Sequence, residues 1–192
     1  MDILFIVTLL ATTLILSAPY MWYVAIISRR NKALEALSSV DVQLKMRLDL
    51  IPNILAIAKR FMEHELSLMT NITTLRTQAA ASYDPKDAAA VQQHLNSIKA
   101  LDTSMGQFMV QVEAYPALKS DETMLQAQRT YNEVEAQIAA ARRFYNAGVN
   151  ALNNSVQIFP GNLIAGIAGV SAMPFYEAEA AAQQSINAKD YL

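Results

Sequence analysis

The sequence has no cysteine, few glycines and prolines and little histidine, and each shortage removes a class of protein. The missing cysteine excludes disulfides, zinc–thiolate sites, iron–sulfur clusters and cysteine nucleophiles. There are 5 glycines and 6 prolines in 192 residues, whereas average usage gives roughly 13 and 10. So few turn-forming residues argue against sandwiches, barrels and repeated βαβ units. Two histidines leave little for a histidine-based metal site.

Charge is absent from residues 3–28, and this segment is predicted to be a membrane anchor. Residues 3–27 would form a helix of about 37 Å, which exceeds the bilayer core of roughly 30 Å. A cleaved signal peptide is the alternative, but it needs a basic start and a shorter apolar core. The sequence therefore predicts an uncleaved anchor over residues 1–28.

The charges on either side of this segment predict its orientation. Arg29, Arg30 and Lys32 follow it, whereas only Asp2 precedes it. Because basic residues stay on the cytoplasmic side, the N-terminus is predicted outside and the rest of the chain in the cytoplasm. Three aromatic residues near the basic end fit the aromatic belt of a membrane interface: Tyr20, Trp22 and Tyr23.

The remaining chain is predicted to be all-α, with long helices and few breaks. Residues 28–82 form the first helix, which Pro52 should kink or break near Ile51. A second helix starts at Asp84-Pro85 and ends at Tyr115-Pro116. A third runs from Ser120-Asp121-Glu122 to Pro160-Gly161. Apolar residues at seven-residue spacing give each helix a seam, which in the third helix comprises Met124, Tyr131, Ile138, Tyr145, Leu152 and Phe159.

A short apolar piece, residues 161–173, is too short to span a bilayer as a helix. Gly161, Ala165 and Gly169 give it a small-residue face that permits close backbone approach. Packing on the bundle is favoured, and contact with a second protomer or with lipid remains open.

Three ordered blocks of the sequence resemble the LemA family. The first is residues 40–53, VDVQLKMRLDLIPN, with Phe61 and His64-Glu65 after it. The second is residues 113–119, EAYPALK, and the third runs from Glu135 through residues 138–146, IAAARRFYN, to residues 159–163. The resemblance covers about residues 30–176. It departs from the common family pattern at Phe61 and at Arg30-Asn31.

The resemblance implies a fold and a location. The expected fold is all-α, with an N-terminal transmembrane helix that continues into a cytoplasmic antiparallel bundle of about four helices. The expected divisions are an anchor at 1–28, a bundle at 29–176 with a membrane-proximal neck at 29–51, and a tail at 177–192. The expected location is the bacterial inner membrane, with a single pass. No enzymatic activity is established for the family, and one branch is associated with building intracellular membranes in magnetic bacteria.

Polar residues on or near the seams are predicted to form a structural network, with a carboxylate pair for acid–base chemistry as the alternative. The candidates are Arg47, Asn53, Glu65, Arg76, Glu113, Glu135, Arg142, Tyr145 and Asn146. His64 and Glu65 lack the second histidine of a helical metal site, and His94 is distant in sequence. No catalytic, cofactor or metal site is predicted. With a net charge of −2, no nucleic-acid partner is expected, and no small-molecule substrate is evident.

The neck carries apolar residues for which the predicted helix lengths leave no cover within the chain: Leu34, Leu37, Leu44 and Leu48. These predict a homo-oligomer joined through the neck and the anchor. The sequence therefore favours a non-enzymatic membrane scaffold that self-associates and organises or shapes the bilayer. The alternative is an accessory or regulatory subunit of another membrane complex, such as a protease, transporter or sensor.

Overall fold

The computed structural model describes residues 3–176, without the side chains of Leu4, Ile6, Ala11, Leu14, Ile15 and Leu16. This part of the chain is all-helical, which confirms the predicted class. The helices are α1 (Ile3–Ala58), a 3-10 turn (Glu63–Glu65), α2 (Leu66–Ala79), α3 (Ala88–Glu113), α4 (Pro116–Lys119), α5 (Glu122–Gln157) and α6 (Gly161–Ala168). The predicted tail, residues 177–192, lies outside the described residues.

The second half of α1 packs with α2, α3 and α5 in an antiparallel bundle. The helix α5 runs back along α1, so that Gly148 faces Ala33 while Glu135 binds Arg47. The chain reverses direction between α1 and α2, and α2 then pairs with α3. The core therefore lies between α1 and the three helices that fold back on it or run beside it.

Pro52 lies inside α1 and does not end it, so of the predicted kink or break the break is wrong. Proline has no N–H to offer the carbonyl four residues earlier, which here belongs to Leu48. That carbonyl accepts a 2.6 Å hydrogen bond from Arg76 Nε on α2. Because a side chain replaces the missing partner, α1 continues to Ala58 and the chain reverses only after it.

Aspartate side chains begin two of the helices. Asp121 accepts a 2.9 Å hydrogen bond from the Met124 N–H, which confirms the predicted start of α5. The predicted start of α3 at Asp84-Pro85 is wrong by a few residues. Asp84 forms a turn with the Lys86 N–H, and Asp87 is the residue that caps α3.

The predicted seams form the core. On α5, Met124, Ile138, Tyr145 and Leu152 are almost completely buried, as are their counterparts on α3. Phe159 is the exception at 73% exposed, because α5 ends at Gln157 and the seam does not continue past that point.

The expectation that the neck is bare within the chain is wrong. Leu37, Leu44 and Leu48 are 1%, 2% and 6% exposed, and Leu34 is half-buried. The reason is that the chain reverses after Ala58, whereas the first helix was predicted to reach residue 82. The end of the bundle opposite the neck is therefore closer to the neck than predicted. From there α5, with 36 residues, reaches about 54 Å and covers the neck.

The N-terminal part of α1 extends beyond the bundle. Its described side chains are all exposed from residue 3 to residue 24, and the first fully buried residue is Ile26. Among the residues that the structure describes, no helix is both long and apolar enough to cross a membrane.

The helix α6 packs on α1 and α5 through two of the three predicted small residues. Gly161 and Ala165 are buried. Gly169 is exposed and does not belong to this face, because it ends the helix in the left-handed conformation with φ of 62°. A β-carbon at Gly161 would lie 2.0 Å from the Ser155 carbonyl oxygen, so only glycine fits there.

We expect Gly161→Ala to displace α6 and to lower the free energy of unfolding by about 1–3 kcal/mol, because a backbone atom blocks the methyl group. Gly166→Ala is the matched control, since nothing lies within 4 Å of its β-carbon position. On the same helix it should be neutral or stabilise by up to about 1 kcal/mol. Thermal unfolding of the two variants compares them, and equal melting temperatures would contradict the prediction.

Candidate functional site

One arginine lies at the centre of the bundle and joins three helices. Arg47 on α1 is 1% exposed. Its Nη1 lies 2.7 Å from Asp102 Oδ1 on α3 and 2.8 Å from Glu135 Oε1 on α5. Tyr131, one turn before Glu135, is buried beside this group. The arrangement fixes the mutual register of α1, α3 and α5.

Burial and charge act in opposite directions on this arginine. Burial lowers the pKa of Arg47, whereas the carboxylates of Asp102 and Glu135 raise it. Together the two carboxylates outweigh burial, and the pKa lies above its usual range. The guanidinium therefore stays charged at any physiological pH. This charged group is paired with carboxylates from two other helices and so links α1, α3 and α5.

A second polar arrangement ties the segment after α6 to α5. We call residues 170–176 the strap. The Asn153 side chain donates to the Met173 carbonyl and accepts from the Met173 N–H, both at 2.9 Å. Asn146 makes the same two bonds with Tyr176, at 2.9 and 2.8 Å. Each asparagine thus pairs with one strap residue as a neighbouring strand would.

The spacing of the two asparagines explains why the strap fits. Seven residues of helix rise about 10.5 Å, and three residues of extended chain cover about 10 Å. The distance between Asn146 and Asn153 along the helix therefore matches the distance between Tyr176 and Met173 along the strap. Between them, the Tyr145 hydroxyl donates a 2.8 Å hydrogen bond to the Pro174 carbonyl.

The strap ends on the bundle centre. Tyr176 is 5% exposed, and the Arg142 guanidinium lies 4.2 Å from the centre of its ring. Burial, followed by the negative charge of Asp102, raises the pKa of Tyr176 above its usual range. The contact is a cation–π interaction, which prefers a neutral, electron-rich ring.

A cavity lies between α1, α2 and the connection to α3. It measures about 430 Å³, within the usual range of ligand sites. In its wall the Tyr83 hydroxyl donates to Asp41 Oδ2 at 2.8 Å, and the Tyr83 and His94 rings stack 4.1 Å apart. His94 Nε2 lies 3.6 Å from Asp41 Oδ1. These three residues clamp the α2–α3 connection to α1.

The cavity does not select a ligand of one charge. Asp41 and Asp49 line it beside Lys45 and Arg76, so both signs are present. Burial and the Asp41 carboxylate raise the pKa of Tyr83, which keeps the phenol neutral and bonded to that carboxylate. In the part of the chain that the structure describes, no group of three or more histidine, aspartate or glutamate side chains could hold a metal ion.

Four tyrosines make the bundle sensitive to alkali. Burial is the main cause that raises the pKa in each: Tyr83, Tyr131, Tyr145 and Tyr176. A raised pKa in the folded state contributes stability below the unfolded value of about 10, and this contribution is lost as the pH rises above it. We therefore expect stability to be constant with respect to these groups below pH of about 10 and to fall above it.

Tyrosinate absorbance measured against pH tests this expectation. The four phenols should ionise together with the loss of helical circular dichroism, and Tyr145→Phe should remove one of them from that step. Ionisation of all tyrosines in a folded bundle would contradict it.

The predicted network residues divide into three groups. Arg47, Glu135, Arg142, Tyr145 and Asn146 are in the two central arrangements, and Arg76 supports α1 at Pro52. Three do not belong to these arrangements. Asn53 is exposed, and the Leu48 carbonyl released by Pro52 is bound by Arg76 and not by Asn53. Glu113 is also exposed, and it pairs with Lys119 beyond the end of α3. Glu65 is half-buried in the 3-10 turn at the far end of the bundle.

Sequence reasoning missed several partners of these residues. Asp102 and Tyr176 are at the centre of the bundle, and Tyr83 closes the cavity. Asp41 and His94 interrupt the apolar seams of α1 and α3, and a charged or polar residue at a seam position is a signal for a buried polar contact. Tyr176 gave no such signal, because the strap has no helical period.

Residues 36–189 match the family model described as LemA family. A comparison with curated proteins finds no match.

Proposed function

Because the chain belongs to the LemA family, we propose that it is a non-enzymatic scaffold anchored in the bacterial inner membrane, with its helical bundle in the cytoplasm. The observation that carries the proposal is the projecting part of α1. Ile3, Leu10 and Met21 are 82%, 65% and 69% exposed, and apolar surface left in water costs about 25 cal/mol per Å². A bilayer would remove this cost.

The sequence of the projecting part supports the same proposal. Residues 3–28 have no charge, and they include the six apolar residues whose side chains lie outside the described part. Arg29 and Lys32 follow immediately and are exposed, as basic residues at a cytoplasmic membrane surface would be.

A binding role fits the polar groups better than a catalytic one. Asp102 and Glu135 bind Arg47 and hold three helices in register. Asn146 and Asn153 on α5 use both polar atoms of their amides on the backbone of the strap. These contacts join helices to one another or to the strap, as a scaffold requires.

Burial of the neck bears on the choice between the scaffold and the accessory subunit. Leu37 and Leu44 contact their own chain, so self-association would use the anchor. This favours the accessory subunit more than the sequence alone does. The protein made alone in a foreign host and run on a native gel distinguishes the two: a discrete homo-oligomer supports the scaffold, and a monomer supports the accessory subunit.

Reporter fusions test the membrane topology. We expect alkaline phosphatase fused after Leu192 to be inactive, because it would remain in the cytoplasm, and a fusion before Met1 to be active. Changing Arg29, Arg30 and Lys32 together to Gln should produce mixed orientations. The matched control changes three exposed basic residues of the bundle, Lys59, Arg60 and Lys86, and should leave the orientation unchanged. An active C-terminal fusion would overturn the proposed topology.

A further inference from the structure

The turn between α5 and α6, together with α6 itself, exposes four large apolar side chains. They are Ile158 at 60%, Phe159 at 73%, Leu163 at 60% and Ile167 at 89%. We call these four the α6 face. The opposite side of α6 is buried on α1 and α5 through Gly161 and Ala165. The exposed side chains are therefore held outward by a helix whose other side is fixed.

The α6 face lies beside the point where α1 leaves the bundle. The β-carbon position of Gly161 is 3.8 Å from the ring of Trp22. Trp22 lies near the end of the projecting segment, whose last exposed residue is Val24. The core begins at Ile26. The face is thus at the same end of the molecule as the exposed apolar part of α1.

The segment that carries the α6 face also lacks charge. No charged residue occurs between Arg143 and Glu177, which includes the end of α5, all of α6 and the strap. Val110, an exposed apolar residue on α3, instead has Gln107, Gln111 and Glu113 close to it in sequence. An uncharged, apolar surface next to a membrane-anchored helix matches an environment at the boundary between headgroups and acyl chains.

We propose that the α6 face inserts into the headgroup–acyl boundary of the phospholipid bilayer in which α1 is anchored. This inference rests on the proposed membrane anchor. With eight residues, α6 is about 12 Å long and too small to bind a membrane firmly by itself. The anchor in the same chain supplies a high effective concentration at the surface, so weak insertion suffices. Insertion at a second point would fix the tilt of the bundle over the membrane.

The absence of cysteine allows site-specific labels without background. Single cysteines at Leu163 and Ile167 carry a spin label in the full-length protein, reconstituted in vesicles of phosphatidylcholine and phosphatidylglycerol. Leu9→Cys in the anchor is the lipid reference, and Val110→Cys, 71% exposed on α3, is the water reference. Accessibility to oxygen, which concentrates in lipid, is compared with accessibility to a water-soluble nickel complex.

We expect the labels at Leu163 and Ile167 to resemble the label at Leu9, with collisions with nickel several-fold fewer than at Val110. If they resemble Val110 while Leu9 remains shielded, the inference is overturned and the anchor stands. If Leu9 is also open to nickel, both fail. Spin–spin broadening between labels at Ile167 that persists on dilution with lipid would identify the face as a contact between two copies and overturn the inference as well. Circular dichroism of each labelled protein verifies that it is folded.

Discussion

Replacing Arg47 with methionine is expected to lower the free energy of unfolding by about 3–5 kcal/mol, because two carboxylates would remain in the bundle without their cation. The side chains of Asp102 and Glu135 are 12% and 34% exposed. Loss of the Arg47 charge therefore costs more at Asp102, which water solvates less. A loss of this size is a large part of the 5–15 kcal/mol that stabilises a domain. Denaturant unfolding of the full chain in detergent measures it.

The control for Arg47→Met is the same change with the charge of the partner also removed. Combining it with Asp102→Asn should recover part of the loss, since the buried anion is gone. Removal of an exposed pair, by Lys119→Met, should change stability by no more than about 1 kcal/mol. If Arg47→Met is as mild as Lys119→Met, the central cluster does not stabilise the bundle.

Truncating Tyr145 to alanine is expected to cost about 3–5 kcal/mol, because a fully buried aromatic side chain leaves a cavity in the core. Its ring is 0% exposed, and its hydroxyl binds the Pro174 carbonyl of the strap. The change should therefore lower the thermal melting point of the full chain and should also release the strap.

Tyr145→Phe separates these two effects. It keeps the ring and removes only the hydroxyl, so it should cost about 0.5–1.5 kcal/mol for the lost hydrogen bond. Phe144→Ala, next in the chain but 63% exposed, should have little effect. An unchanged melting temperature for Tyr145→Ala would contradict the burial of this residue.

The sequence predicted the parts of the fold that depend on local chemistry. The seven-residue spacing identified buried positions of α1, α3 and α5, because a helix presents such residues on one side. Ser120-Asp121-Glu122 marked the start of α5, because acidic residues are favoured in the first turn of a helix. Each of these patterns involves residues that are close together in the sequence, so no contact with a distant residue is needed to interpret it.

The parts that were missed depend on contacts between distant residues. Pro52 is a helix breaker by itself, and only Arg76, brought back by the chain reversal, satisfies the Leu48 carbonyl. The cover of the neck followed from the same reversal. Asn146 was predicted to belong to a polar network, but its partner, like that of Asn153, is an extended segment whose position no local pattern specifies.

The strap has a consequence for the order in which the protein assembles. Its partners are 20 to 30 residues away in sequence, and the two amides are correctly spaced only after α5 is helical. The strap can therefore form these bonds only once α5 is helical, and we expect it to open locally while the four long helices stay together. Amide hydrogen exchange at Met173 and Tyr176 would then be faster than exchange in the core of the bundle. One chain would thus combine a bundle that unfolds slowly with a segment that opens and closes on it more often.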